Sequence, residues 1–336
     1  MTAPIWTDKQ FDLGFGNSVC VREAFMETVG VPEGIGFLTT MKDMMEMDYP
    51  THEGDPEVVE ITNQVIKRQL GKEYKHVFIT NGATGGVVLA LRAYAKQGKE
   101  YVRTRKAPWY GRYPGIIDAA GLIHDPNMGY MDKGVILLDL PSNPKGELTE
   151  IDLMWGQYPV ILDAVYYNNV YCRGLIRDVH HDVLVGSYSK LFGINGIRLG
   201  WLATNNDLLA ARVADLITAE YCGLSTPSTT LLKRCWERFN WHYFEQMANI
   251  YLNCNREEWS KLEKFFGDTP VSPIGMFYYG PMDETCKKLM NKAGIHWTPG
   301  PQMGTFHDNH GRFNIGQDNK LIRDAVKAVL KADKSK

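Results

Sequence analysis

The sequence lacks a CxxC pair, a Cys/His cluster and any long apolar run. Its cysteines are scattered at Cys20, Cys172, Cys222, Cys235, Cys254 and Cys286. This spacing argues against a zinc site and a disulfide scaffold, so we expect no metal and a reducing, cytoplasmic setting. No apolar stretch approaches the roughly 20 residues that cross a bilayer, and no basic segment followed by an apolar one opens the chain. Secretion and membrane insertion are therefore not expected.

The chain also lacks a strong charge of either sign. Lys and Arg total 37 against 39 for Asp and Glu, which gives a formal net charge of -2. Such a balance provides no general attraction to nucleic acid or to anionic membranes. The length of 336 residues favours one large domain plus a smaller one, a size that suits a compact enzyme.

Helical and strand-like patterns alternate from about Asp55. An amphipathic stretch over Pro56–Leu70 precedes an apolar run at 76–80, and a helix of small residues follows from Gly82. Further short apolar runs lie at 135–140, 159–163, 182–187 and 199–204, each bounded by Gly, Pro, Asn or Asp. These are typical of buried strands in a mostly parallel sheet. The pattern predicts an α/β fold with a three-layer α/β/α large domain.

The second half of the chain predicts a smaller α+β unit. Helical patterns cover 206–221 and 228–266, and strand-like runs at 276–279 and 312–315 alternate with helices at 283–293 and from Asn319 onward. We therefore expect a large domain over residues 46–245 and a C-terminal small domain over 246–336. Residues 1–45 would form an N-terminal arm that belongs in part to the small domain.

The strongest local motif is Ser187-Tyr188-Ser189-Lys190, followed eight residues after the lysine by Arg198 in GINGIRLGW. A partly desolvated lysine can form a Schiff base, while nearby hydroxyls and a guanidinium can hold a phosphate dianion. Taken alone, a lysine beside serines after a strand is more often part of an ordinary loop. Its chemical interpretation depends on the other motifs of the chain.

A phosphate-binding turn is predicted at residues 81–86, NGATGG, where a strand ends and a helix begins. Backbone N–H groups and the positive end of the helix dipole would face an anion there. The alternative is a plain strand-to-helix turn in which the glycines allow close packing. Taken alone, the motif would favour the plain turn.

Polar residues also stand at other predicted strand ends, where ligands collect in open α/β sheets. Asp163 ends the apolar run PVILD, and Asn143 lies in the turn PSNPKG. A buried carboxylate needs a charged partner, and a protonated pyridine nitrogen would be one. The alternatives are a core aspartate that caps a helix and a simple Pro/Gly turn.

The set as a whole resembles the fold-type I enzymes that use pyridoxal 5′-phosphate (PLP), the aspartate aminotransferase superfamily. The resemblance rests on the order of motifs between residues 82 and 312 and covers nearly the whole chain, although it is thin between residues 204 and 272. It implies the three-layer fold with a smaller domain, PLP as cofactor, a homodimer and an amino-acid substrate. It implies that Lys190 carries the cofactor as an internal aldimine.

The resemblance also implies roles for the residues around the cofactor. Tyr110, two residues after Pro108, would stack on the pyridine ring, although a one-residue shift would give this role to Trp109. Asp163 would pair with the ring nitrogen, and Asn143 and Tyr166 would bond to the phenolic oxygen. The phosphate would be bound by a set of small, hydroxyl and cationic residues: Gly82, Ala83, Thr84, Ser187, Ser189 and Arg198.

On the substrate side, the resemblance assigns the α-carboxylate to Arg312 in GRFNI, with Asn143 next to the substrate. Arginine in a strand is otherwise most often a surface salt-bridge residue. Two looser matches are Gly16, in a substrate-side glycine loop, and Tyr49, which would reach the phosphate of the neighbouring subunit. Lys145 departs from the family pattern because threonine is usual there, which puts the local contacts of the turn in doubt.

Three activities fit this set. In an aminotransferase, Lys190 would also move the α-proton as general acid and base. Decarboxylation or β-elimination on the same fold is the alternative, because one electron sink serves all of these reactions. A non-catalytic PLP-fold binding module is a minor alternative, since the chain keeps Lys190. The chain resembles the shorter superfamily members, histidinol-phosphate aminotransferases and threonine-phosphate decarboxylases among them, and its substrate could be free or carrier-attached.

Overall fold

The computed structural model describes residues 10–13, 18–30, 50–127, 133–148, 158–172, 179–267, 271–272, 274–305 and 309–334. The strands in these ranges are β1 (Phe11–Asp12), β2 (His76–Asn81), β3 (Tyr101–Arg103), β4 (Ile123–His124), β5 (Gly134–Asp139), β6 (Val160–Asp163), β7 (Val183–Ser187), β8 (Leu199–Thr204), β9 (Phe277–Pro281), β10 (Ile295–His296), β11 (Thr298–Pro299) and β12 (His310–Asn314). The α-helices are α1 (Val19–Val29), α2 (Pro56–Leu70), α3 (Gly82–Ala95), α4 (Tyr113–Ala119), α5 (Asn169–Cys172), α6 (Tyr188–Leu191), α7 (Asp207–Glu220), α8 (Thr226–Trp236), α9 (Trp241–Ser260), α10 (Glu284–Lys292) and α11 (Asn319–Lys334).

The large sheet has the strand order β2-β8-β7-β6-β5-β3-β4 in the described part of the chain. Strand β8 runs antiparallel to both of its neighbours, and the other adjacent pairs are parallel. The predicted mostly parallel sheet is confirmed. The carboxyl ends of β5, β6 and β7 lie side by side at one edge, which is where an open α/β sheet binds its ligands.

The two faces of this sheet pack against different helices because successive side chains of a strand point to opposite faces. In β5, Ile136 and Leu138 face the core that contains α1, α2 and α9. Val135 and Leu137 face the core that contains α3, α4 and α7. The result is the expected three-layer arrangement, and the fully buried β5 has the nearly continuous apolar sequence of an internal parallel strand.

Helix α2 shows why the local sequence folds as predicted. The Asp55 carboxylate accepts hydrogen bonds from the backbone N–H groups of Glu57 (2.9 Å) and Val58 (3.3 Å) at the helix start. Pro56 occupies the first turn, where its missing N–H has no intrahelical role, and Gly71 ends the helix in the left-handed conformation. These signals fix both ends of α2.

The helical pattern over residues 228–266 forms more than one helix. Helix α8 ends at Trp236, and α9 begins after Asn240, whose side chain accepts a hydrogen bond from the N–H of Tyr243 at 3.1 Å. Asparagine at this position caps a new helix, which the apolar periodicity did not indicate. Helix α9 spans residue 245, so the predicted domain boundary falls inside a helix, and the division of the chain into domains stays a prediction.

The C-terminal unit is built on a small antiparallel sheet of order β11-β12-β9. One face of this sheet forms a core in which Tyr278 and Phe313 pack with Trp259 of α9 and with residues of α10 and α11. The opposite face carries Arg312, which lies directly across from Tyr279. The small sheet therefore presents Arg312 away from its own core.

All six cysteines lie in the described ranges and are free thiols. Burial raises the pKa of Cys20 and of Cys172 to about 12, so these two thiols remain neutral at physiological pH. None of the described helices combines the length and apolarity that crossing a membrane requires.

Candidate active site

Lys190 lies on the short helix α6, directly after β7. The Ser187 hydroxyl accepts a hydrogen bond from the N–H of Ser189 at 3.0 Å and donates one to the carbonyl of Leu199 at 3.1 Å. The Tyr171 hydroxyl donates to the carbonyl of Lys190 at 2.7 Å. The backbone of the lysine is therefore held from the strand side and from helix α5.

The Lys190 amine is partly buried and donates to Oδ1 of Asn195 at 3.3 Å. Burial lowers its pKa from 10.5 to about 8, and the positive charges of Arg312 and Arg198 add to this effect. A lysine with this pKa loses its proton readily near neutral pH and becomes a nucleophile. These surroundings are those of a reactive amine.

An anion-binding arrangement lies next to this lysine. Arg198 Nη1 donates to Oγ of Ser189 at 3.3 Å and to the carbonyl of Asn195 at 2.8 Å, and the N–H of Gly82 donates to the carbonyl of Arg198 at 3.0 Å. A Cβ atom at Gly82 would lie 2.5 Å from Nη2 of Arg198, and the residue has φ +65°. Only glycine lets the guanidinium approach the start of α3 this closely.

The first turn of α3 adds backbone donors beside this guanidinium. Ala83 and Thr84 occupy that turn, where N–H groups have no partner within the helix and the helix dipole is positive. Thr84 is exposed and Ala83 is partly buried. The predicted phosphate-binding turn and Arg198 are therefore adjacent, in a geometry that suits a phosphate group.

Asp163 ends β6 beside this arrangement. Its Oδ2 accepts a hydrogen bond from the Tyr113 hydroxyl at 2.9 Å, and its Oδ1 accepts one from the N–H of Val165 at 3.2 Å. Burial and, to a smaller extent, the nearby Asp139 carboxylate raise its pKa from 3.8 to about 6. Among the described residues, no cationic side chain forms an ion pair with Asp163. A protonated ring nitrogen would supply the missing positive charge.

The aromatic candidates after Pro108 point to different neighbours. The Tyr110 ring packs edge-on against Tyr113 with centroids 5.4 Å apart, and the Asp163 carboxylate contributes to the raised pKa of Tyr110, after burial. The Trp109 ring contacts the backbone at Gly304, where an added Cβ would lie 2.3 Å from Cε2 of Trp109. Tyr110 is thus the aromatic beside Asp163, and Trp109 packs in another direction.

Arg312 is buried rather than exposed in a surface salt bridge, with only 7% of the residue accessible. Its Nη1 donates to Oδ1 of Asn143 at 3.1 Å, and its Nη2 donates to the Thr298 hydroxyl at 3.3 Å. The guanidinium carbon lies 4.3 Å from the centre of the Phe277 ring, a cation–π contact. Tyr166 packs edge-on against the same phenylalanine, with ring centroids 5.7 Å apart.

The structure brings most of the predicted residues to one place. The positive charges of Arg312 and Arg198 both lower the pKa of Lys190. Burial raises the pKa of Tyr166, the Asp163 carboxylate raises it as well, and Arg312 lowers it. Gly16 and Tyr49 lie outside the described residues, so their roles stay predictions. Lys145 lies at the surface with its Nζ 3.6 Å from Oε1 of Glu147.

The sequence analysis did not single out several residues that contact this set: Tyr113, Asp139, Tyr171, Asn195, Phe277 and Thr298. It also missed Arg105, which binds Asp139. Two of them carried a signal. Asp139 ends the apolar run VILLD just as Asp163 ends VILD, and Tyr113 follows Tyr110 by three residues, a spacing at which side chains can meet. Asn195 lies five residues after Lys190, inside the quoted segment GINGIRLGW. The contacts of Arg105 and Phe277 join residues distant in sequence, and no local pattern reveals them.

These groups fit the chemical parts of PLP. A guanidinium, a hydroxyl and a helix start are placed for a phosphate, a buried carboxylate for a ring nitrogen, and a tyrosine for an aromatic face. The lysine amine is close enough to both Arg198 and Arg312 for their charges to lower its pKa. Each part of the cofactor would therefore meet a group of matching charge or shape.

Comparison with known proteins agrees with this fit. A family model described as "Aminotransferase class I and II" matches residues 117–329. Histidinol-phosphate aminotransferase 1 of Legionella pneumophila is 25% identical over 301 residues, which cover 78% of this chain and 80% of the relative. The (5-formylfuran-3-yl)methyl phosphate transaminase of Methanocaldococcus jannaschii is 22% identical over 276 residues, covering 76% of this chain and 74% of the relative.

A solved structure shows the same fold. It is a Methanococcus jannaschii protein described as similar in its active site to kynurenine aminotransferases. The two folds match with a TM-score of 0.75 at 18% sequence identity, over 96% of this chain and 91% of the other. At this identity the likeness supports the fold, and the assignment of individual side chains rests on the geometry described above.

Proposed function

Because the chain belongs to the class I and II aminotransferase family and is a PLP-dependent aminotransferase, we propose that Lys190 carries out its amino transfer on an amino acid. The observation that carries this proposal is the desolvated Lys190 amine, whose pKa is lowered by burial and by both Arg312 and Arg198. Arg198 bonds to Ser189, one residue before this lysine, and its carbonyl accepts the N–H of Gly82 at the predicted phosphate-binding turn. Arg312 bonds to Asn143. Cofactor and substrate would therefore meet at this amine.

The cofactor would be held by residues at three points. Arg198, Ser189 and the first turn of α3 would bind its phosphate, with Ser187 fixing the turn that carries Ser189. Asp163 would bind the ring nitrogen and Tyr110 the ring face. When bound, PLP withdraws electrons from the α-carbon of an attached amino acid, which weakens the bonds to that carbon.

Asn143 and Tyr166 would hold the phenolic oxygen of the cofactor. The side-chain oxygen of Asn143 accepts a hydrogen bond from Arg312. The side-chain N–H groups of Asn143 therefore remain as donors toward the cofactor. Burial raises the pKa of Tyr166, so its hydroxyl keeps its proton and can donate a hydrogen bond.

Lys190 would also move the α-proton of the substrate. A general base works best when its pKa lies near the working pH, and burial brings the pKa of this amine to about 8. The neutral amine would take the proton from the α-carbon, and the resulting ammonium group would deliver it to the cofactor, which regenerates the neutral amine. Arg312, with its planar fork inside the protein, would hold the α-carboxylate and orient the bond to be broken.

Amino transfer is preferred to decarboxylation or elimination because the matching family model and the relatives are aminotransferases. Incubation of the holoenzyme with single amino acids, without an acceptor, separates these reactions by their products. Transamination predicts up to one equivalent of 2-keto acid per subunit. Carbon dioxide with a primary amine would instead indicate decarboxylation, and no product from any amino acid would contradict the proposed function.

Two further properties belong to this proposal. The protein would be a homodimer, with Tyr49 of one subunit reaching the phosphate site of the other and Gly16 bordering the substrate. The free cysteines support a reducing compartment such as the cytoplasm. The same product assay would identify the amino donor, and repeating it with single keto acids added would identify the acceptor.

A further inference from the structure

A buried ion pair lies behind the proposed cofactor site. Arg105 Nε lies 3.2 Å from Oδ1 of Asp139, and the same guanidinium donates through Nε (3.3 Å) and Nη2 (3.2 Å) to the carbonyl of Asp139. The two side chains are only 10% and 7% exposed. Arg105 thus holds both the side chain and the backbone of the last residue of β5.

Asp139 connects this pair to both sides of the proposed cofactor ring. Its Oδ2 accepts the backbone N–H of Asn143 at 2.8 Å, which fixes the turn that carries Asn143. It also lies directly across from Asp163 in the parallel register of β5 and β6. Side chains at paired positions of neighbouring strands stand on the same face of a sheet.

The Asp139 carboxylate raises the pKa of Asp163, and this repulsion would be stronger without the Arg105 cation beside Asp139. Arg105 lowers the pKa of Asp139 against the larger, raising effect of burial. The other titratable groups around the carboxylates are neutral tyrosines, because burial raises the pKa of each: Tyr110, Tyr113 and Tyr166. Arg105 is therefore the cation that compensates Asp139 among the described residues.

We propose that Arg105 is a positioning residue of the reaction: through the Asp139 carboxylate it holds the turn of Asn143 and balances the charge beside Asp163. This inference rests on the proposed function, in which Asn143 and Asp163 contact opposite sides of the cofactor ring. Arg105 acts on both contacts without touching the cofactor itself. One ion pair thus fixes the geometry on one side of the ring and the charge on the other.

A pair of substitutions of opposite sign tests the charge balance. The readout is the pH midpoint of the visible absorbance of the bound cofactor, recorded without substrate. Arg105→Met should raise this midpoint by about half a pH unit or more, and Asp139→Asn should lower it, because a lost cation favours protonation and a lost anion disfavours it. The double variant should return close to wild type. In Asp139→Asn, the new amide keeps an oxygen that can still accept the hydrogen bond from the backbone N–H of Asn143.

A third substitution tests the turn. Arg105→Lys keeps the charge but loses the planar fork that reaches the Asp139 carbonyl. Its absorbance midpoint should stay at the wild-type value, while the dissociation constant of PLP, titrated into the apoprotein, should rise severalfold. Arg92→Met is the matched control, because Arg92 pairs with Glu220 near the surface, and it should change neither quantity.

Opposite shifts that cancel in the double variant would not arise from a merely structural role. Shifts of the same sign in both single variants, or an Arg105→Met midpoint equal to that of Arg92→Met, would overturn the inference. If circular dichroism shows that Arg105→Met does not fold, the other two variants still test the inference. An unshifted midpoint in Asp139→Asn would overturn the inference, and so would an unchanged PLP affinity in Arg105→Lys. Failure of the proposed function is a separate result, because wild-type enzyme would then carry no cofactor on Lys190.

Discussion

Arg312 donates a hydrogen bond from Nη1 to Oδ1 of Asn143 across 3.1 Å. This contact joins the small C-terminal sheet to the turn after β5 of the large sheet, although the two residues lie 169 positions apart in sequence. It places a buried guanidinium beside the residue proposed to contact the cofactor. The substrate carboxylate and the cofactor would therefore share one wall of the site.

Arg312→Lys should damage catalysis while leaving the fold and cofactor binding intact. Lysine keeps the charge but cannot make two parallel hydrogen bonds to a carboxylate, so kcat/KM should fall about a hundredfold, on the order of 3 kcal/mol in transition-state stabilisation. Steady-state kinetics measure this loss, with Arg92→Lys as a surface control. Unchanged kcat/KM in Arg312→Lys would show that the α-carboxylate binds elsewhere.

Asp163→Asn should weaken PLP retention and slow the reaction. An amide cannot pair with a protonated ring nitrogen, so the ring would lose its proton and much of its electron-withdrawing strength. Dialysis followed by absorbance of the retained cofactor measures the effect. Asp182→Asn serves as the control, because Asp182 lies before β7 and its Oδ2 accepts the N–H of Val160 at 2.8 Å. Equal PLP retention in both variants would remove Asp163 from the cofactor site.

The buried Lys190 amine should make the stability of the apoprotein depend on pH. Its pKa falls from 10.5 to about 8 on folding, so between these values the unfolded chain binds a proton that the folded chain does not. Stability relative to Lys190→Met should therefore rise with pH across this window, by on the order of 3 kcal/mol. Urea unfolding at a series of pH values measures the difference, and a flat difference would mean that the amine is not desolvated.

The active enzyme should be a homodimer. Two-fold symmetric assembly is common among soluble enzymes, and the family resemblance places residues of both subunits at each active site. Sedimentation equilibrium should give twice the mass of the chain, and activity should fall on dilution below the dissociation constant. A fully active monomer would contradict this prediction and would remove the proposed role of Tyr49 across the interface.

Sequence patterns predicted the layers and most strands of the large sheet because each buried strand is a short apolar run between turn residues. They placed β8 at residues 199–204 correctly, but nothing in its local sequence showed that it runs antiparallel, since direction depends on pairing with distant strands. The helix break at Asn240 was missed for a related reason. Asparagine caps a helix only when the chain turns there, and tertiary packing decides that.

The candidate site was predictable from the family resemblance, where its residues stand in local motifs. Asp163 ends β6 and Lys190 lies on the short helix directly after β7, as the apolar runs before them predicted. Arg105 and Phe277 were not predictable, because each matters through a residue distant in sequence: Arg105 through Asp139, and Phe277 through Arg312. Such contacts exist only once the sheet order is known.

The most direct test of this account asks which residue carries the cofactor. The holoenzyme is reduced with borohydride and digested, and the peptides are weighed by mass spectrometry. We predict that the peptide containing Lys190 carries the mass of the reduced cofactor. Lys190→Ala should fold normally but show neither this added mass nor turnover. The control Lys133→Ala, at the surface beside Glu100, should keep both. Cofactor attached to another lysine, or normal turnover in Lys190→Ala, would contradict the account.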